Sequence, residues 1–138
     1  MNDRLCAGLR VVAATLFLLA PWPLLSCESA PIGGDARYIK GSNFSLAWRV
    51  EPAPLKLGEF FSVVISACGA EPVSRLRVDA TMPAHQHGMN YLPSVVAEGG
   101  GRFRADGLLL HMPGRWEFAF DVADAKAREV LRATVDLR

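Results

Sequence analysis

Arg115 to Val122, RWEFAFDV, is the stretch on which the fold turns. Trp116, Phe118, Phe120 and Val122 occupy every second position, with Arg115, Glu117, Ala119 and Asp121 between them. A strand sends alternate side chains to opposite faces, so this spacing gathers four large apolar groups on one side. On a helix the same residues would point in all directions and bury nothing in common.

The alternation recurs on both sides of this stretch. Downstream, EVLRATVDL places Leu131, Ala133, Val135 and Leu137 in phase, and the DAKAR that precedes it reads as a connection with at most one helical turn. Upstream, SRLRVDATM puts Leu76, Val78 and Ala80 inward and Arg75, Arg77 and Asp79 outward. Before that come Phe60 to Ala67, with Phe61, Val63, Ile65 and Ala67 on one face, and FSLAWRV, with Phe44, Leu46, Trp48 and Val50. Tyr91 to Ala97 and Arg102 to Leu110 complete the set as a hairpin through Gly99, Gly100 and Gly101, where positive φ costs little. Short alternating runs separated by turn residues predict an all-β chain, an immunoglobulin-like antiparallel β-sandwich of about seven strands.

At 138 residues and a formal net charge of +1, the chain fits one domain. Its arginines are spread through the strands instead of forming a basic run, which argues against a nucleic-acid partner. The N-terminus reads as an export signal over residues 1–26: Arg4 and Arg10 precede the apolar VVAATLFLLAPWPLL. Pro21 and Pro23 and the shortness of that run argue against a membrane helix. Leu24, Leu25 and Ser26 before Cys27 resemble the lipobox of bacterial lipoproteins, which implies lipid on Cys27 and a membrane-anchored, periplasm-facing protein. Residues 27–43, CESAPIGGDARYIKGSN, read as a flexible tether and residues 44–138 as the folded domain. With Cys27 lipidated and Cys6 removed with the signal, Cys68 is expected to be a spare thiol at a strand end, with no internal disulfide.

Beyond residue 26, every Met and His lies in one of two segments, TMPAHQHGMNY from Thr81 to Tyr91 and LLHMPG from Leu109 to Gly114. These supply Met82, His85, His87, Met89, His111 and Met112. Taken singly, several have structural readings: Met82 continues the inward phase of its strand, Met112 can cap the core, and His111 can satisfy a backbone carbonyl. Taken together they form a soft donor set. Thioether with imidazole and no carboxylate selects Cu(I), with Cu(II) reachable through the imidazoles, whereas calcium and magnesium want oxygen and zinc is more usually offered Cys or an acid. In a sandwich of this kind successive loops alternate between the two ends. The two segments are therefore expected at one end, opposite the tether and the start of the first strand.

The run MPAHQHGMNYLPSVVAEGGGRFRADGLLLHMPGRWEFAFDV, with PLKLGEFFSVVI before it, resembles the YtkA-like family of exported domains and the related FixH-type domains of cytochrome oxidase assembly. The resemblance extends over roughly Leu55 to Val135. It implies a β-sandwich with links to copper delivery to respiratory oxidases, and Met82, His85, His87, Met89 and Met112 as the copper-side residues. Two positions depart from the pattern: Gln86 stands where glycine is common, and His111 is an individual addition.

Other functions fit less well. A blue-copper carrier needs a Cys shortly before a His and a Met, yet no His follows Cys68 until His85. An enzyme needs a nucleophile with a base or paired acids, but the histidines all belong to the cluster and Asp79, Glu117 and Asp121 alternate outward. The expectation is a non-enzymatic envelope copper carrier or chaperone serving a cytochrome oxidase subunit or another envelope copper protein. The alternative is a metal-free interaction module that uses HQHGMNY as a recognition loop.

Overall fold

The computed structural model describes residues 32–138. The signal and lipidation readings, with Cys27, lie outside the described residues. Among the described residues the elements are β1 (Arg37–Lys40), β2 (Ser45–Glu51), β3 (Phe60–Cys68), β4 (Arg75–Met82), a 3-10 turn (Pro83–His85), β5 (His87–Gly88), β6 (Ser94–Gly99), β7 (Arg102–Leu109), β8 (Gly114–Ala123) and β9 (Arg128–Leu137). They form two antiparallel sheets, ordered β1-β2-β3-β7-β6 and β5-β4-β8-β9. Both sheets contribute to one hydrophobic core, an all-β arrangement compatible with a sandwich.

The alternation read from the sequence is the alternation observed. Trp116, Phe118, Phe120 and Val122 are fully buried on β8, and they face Trp48, Val63 and Ile65 from the other sheet. The Trp48 ring lies 5.5 Å from that of Phe118 and 5.3 Å from that of Phe120, so the largest side chains interlock at the centre. Burial of these rings supplies most of the driving force, each worth roughly 1.5–3 kcal/mol of transfer. The β6–β7 hairpin turns through Gly99, Gly100 and Gly101, all at positive φ as the triplet predicts. The DAKAR segment is a tight turn, with the Asp124 N–H donating to the Ala127 carbonyl at 3.0 Å, and no helix forms there.

Three expectations need correction. First, among the described residues nine strands are present in place of about seven: β1 arises within the expected tether, and β5 is a two-residue strand in the loop after β4. β1 escapes pattern reading because Arg37-Tyr-Ile-Lys40 is too short to show a period, and pairing with β2 creates it. Second, β1 runs antiparallel to β2, Arg37 opposite Trp48 and Lys40 opposite Ser45. The preceding chain is thereby carried back, and the Arg49 side chain donates to the Ile32 carbonyl at 2.6 Å. The described chain thus starts in the half of the molecule that holds the Met and His loops, not at the far end. Third, Cys68 is disulfide-bonded and is not a spare thiol. The other two cysteines, Cys6 and Cys27, lie outside the described residues.

The far end has its own fastening. The Glu129 carboxylate accepts from the backbone N–H groups of Ser42, Asn43 and Phe44 at 2.8, 2.9 and 3.2 Å, tying the β1–β2 turn to the second sheet. Those three donors hold its pKa below the usual carboxylate value.

Candidate metal centre

The two Met and His segments meet at one end, because β4 and β7 both run toward it. β4 ends at Met82, and β7 ends at Leu109, which pairs with Phe60 at the start of β3. Between Leu109 and the first residue of β8, Gly114, lie Leu110 to Pro113, so His111 and Met112 occupy a short crossing from the first sheet to the second.

The loop after β4 is built to double back. Pro83 opens the 3-10 turn, the Gln86 N–H donates to the Pro83 carbonyl at 3.3 Å, and Gln86 takes the left-handed conformation at φ 55 and ψ 34. This reversal lays His87 and Gly88 against Met82 and Thr81 as β5, and the Met89 N–H donates to the Ala80 carbonyl at 3.1 Å. Gln86 is the only non-glycine at positive φ among the described residues. A glycine would adopt that φ without steric cost.

His87 and His111 come together around Trp116. Their ring centroids are 5.1 Å apart with the planes near perpendicular. The His87 ring stacks on Trp116 at 5.9 Å, and the His111 ring meets Trp116 edge-on at 5.6 Å. The indole is fixed in turn, since its Nε1 donates to the Met112 carbonyl at 2.9 Å. His87 Nε2 and His111 Nδ1 are both buried without a hydrogen-bond partner. A buried polar atom left unpaired costs about 1–3 kcal/mol, so two in adjacent rings require an explanation.

The other four candidates are placed differently. Met82 is 2% exposed and belongs to the core; its methyl lies where a β-carbon on Gly114 would fall, 2.4 Å away. Gly114 sits at φ 128, a backbone conformation that favours glycine. Met89 and Met112 are partly buried and pack on the edge of the core. His85 is exposed on the 3-10 turn, its ring 5.9 Å from that of His87 and in no ring contact with His111. The six residues thus form a graded set, with His87 and His111 adjoining, Met82 in the core, Met89 and Met112 at the core's edge, and His85 at the outer margin.

Among the described residues, no three of His, Cys, Asp and Glu are gathered as a metal-holding group. Met82, Met89 and Met112 are the soft donors that the same two segments place beside His87 and His111 in sequence. The spacing of the pair suits shared coordination. With nitrogen ~2.0 Å from an ion, and ~1.1 Å from its own ring centre, two imidazoles at a tetrahedral angle have centroids ~5.1 Å apart. Charge is absent nearby in sequence: residues 83–97 contain no Asp, Glu, Lys or Arg.

Sequence reasoning missed Trp116 as a wall of this site and read it as core alone. A cue was available, because Trp116 follows the Pro113-Gly114 turn directly after His111 and Met112. No family model, no curated protein and no solved structure matches this chain.

Proposed function

We propose that this protein binds one copper ion through His87 and His111 with thioether donors from Met82, Met89 and Met112, and carries it in the cell envelope. The observation that carries the reading is the pair of buried, unpartnered imidazole nitrogens in rings 5.1 Å apart. A metal is the natural partner for an imidazole lone pair with no donor to meet it. The thioether sulfur selects Cu(I) over the harder divalent ions. His85, exposed and next to His87, is suited to help capture Cu(II), for which thioethers are poor ligands. On this reading the domain is an immunoglobulin-like member of the YtkA-like group, and its recipient is a cytochrome oxidase subunit or another envelope copper protein. Transfer without catalysis is what such a labile donor set serves.

Lipid on Cys27 would anchor the carrier to the membrane.

Isothermal titration of the purified protein with Cu(I) against a competing chelator tests the central claim. One-to-one binding that outcompetes the chelator is expected, and heats no larger than those of dilution would refute it. One observation favours the interaction-module reading. Next to the cluster Leu92 is 97% exposed and Phe60 59%, with Phe60 meeting Tyr91 edge-on at 5.2 Å, and apolar groups so exposed suit contact with another protein. Failure to bind copper would leave this as the better reading.

A further inference from the structure

At the same end of the molecule, but on the β1–β9 edge and away from the histidines, lies a cavity of about 550 Å³. That volume falls within the ~300–1,000 Å³ of small-molecule sites. Its apolar wall comes from Trp48, Leu55, Val135 and Leu137, and its rim carries charged side chains.

The arginines on this rim differ in their commitments. Arg49 is ion-paired with Glu51, which also holds Arg104 at 2.7 Å. Arg37 has no carboxylate partner among the described residues. It pairs in register with Trp48, and cross-strand partners project from the same face of a sheet, so Arg37 lies on the Trp48 side of β1 while remaining exposed at the sheet edge. Its guanidinium carbon stands 5.2 Å from the centre of the Trp48 ring. Trp48 contributes a second unmet group, a buried indole Nε1 with no acceptor. Asp35 is the opposing charge on the rim, since Asp136 is engaged by Arg115.

An apolar chamber with an uncommitted guanidinium at its mouth has the polarity of an amphipathic carboxylate. We propose that this cavity binds such a ligand, a medium-chain fatty acid or a compound of like form. Its alkyl portion lies against Trp48, Leu55, Val135 and Leu137, and its carboxylate meets the planar donor fork of Arg37. Arg138, also on the rim, adds positive charge at long range. The site is independent of the copper reading.

The test is titration of the chelator-treated protein with sodium decanoate, followed by calorimetry and tryptophan fluorescence. Saturable one-to-one binding is expected, with decyltrimethylammonium at least about tenfold weaker. Arg37→Gln should weaken decanoate by at least about tenfold with an unchanged melting temperature. Ala53→Trp, which adds bulk from an exposed position on the cavity wall, should abolish binding. Absence of saturable binding up to about 1 mM, equal binding of the cationic probe, or indifference to Arg37→Gln would overturn the proposal. Arg37 would then serve only as a charge that keeps edge strand β1 from pairing with other chains.

Discussion

Replacing both His87 and His111 by Phe separates a metal site from a structural pair of histidines. Phenylalanine keeps an aromatic ring at each position, so the stack of residue 87 on Trp116 and the edge contact of residue 111 survive, each worth about 0.5–1.5 kcal/mol. What disappears is the pair of buried nitrogens with no partner, each costing about 1–3 kcal/mol in the metal-free protein. Neither residue is fully buried, so the slightly larger ring has room to adjust and overpacking recovers only part of that gain. The metal-free variant should therefore be more stable than the parent by about 1–3 kcal/mol. At roughly 4–8 °C per kcal/mol for a domain of this size, its melting temperature should rise by several degrees or more. Copper acts the other way, offsetting all or most of that difference. At a free concentration about 100 times Kd the parent gains about 2.7 kcal/mol, while the variant gains nothing. Urea unfolding, measured with chelator and with Cu(I), reads both halves of the comparison. Destabilisation of the metal-free variant by more than about 1 kcal/mol would show that the imidazoles make structural hydrogen bonds, and the argument from orphaned nitrogens would fail.

The Met82→Leu, Met112→Leu double variant should melt within about 1.5 kcal/mol of the parent, because apolar volume is kept, yet lose much of its Cu(I) affinity; unchanged affinity would assign both methionines to the core alone. For Glu129, three backbone donors hold the folded pKa below the unfolded value of about 4.3. Its contribution is therefore complete above that value and lost as pH falls through the folded pKa. Glu129→Gln should melt several degrees below the parent at neutral pH, with the gap narrowing as pH falls below about 4.3; a gap that does not change with pH would exclude the carboxylate as its source. If Cys27 carries lipid, Cys27→Ser should abolish labelling by a fatty-acid analogue, and the mature N-terminal peptide of the parent should show the mass of the lipid. A peptide disulfide-linked to Cys68 would refute the anchor.

Period-two alternation was enough to determine which residues face inward. Trp116, Phe118, Phe120 and Val122 are buried as their spacing requires, as are Leu76, Val78 and Ala80, because a strand with one covered face permits no other phase. The sequence also determined the chemical character of the candidate site, since donor softness belongs to residue type and not to position. Geometry was another matter. Only the tertiary structure decided that His87 and His111 adjoin around Trp116 while His85 stays at the margin, because a left-handed Gln86 turns the loop and no periodic pattern encodes that turn. β1 was decided there too. Four residues carry too little pattern to declare a strand, and these become one because the exposed edge of β2 offers hydrogen bonds that nothing else meets. That pairing turns the chain back toward the Met and His loops and sets Arg37 over Trp48. Alternation within a strand specifies its faces, whereas the neighbour at its edge is selected by backbone groups that every residue shares.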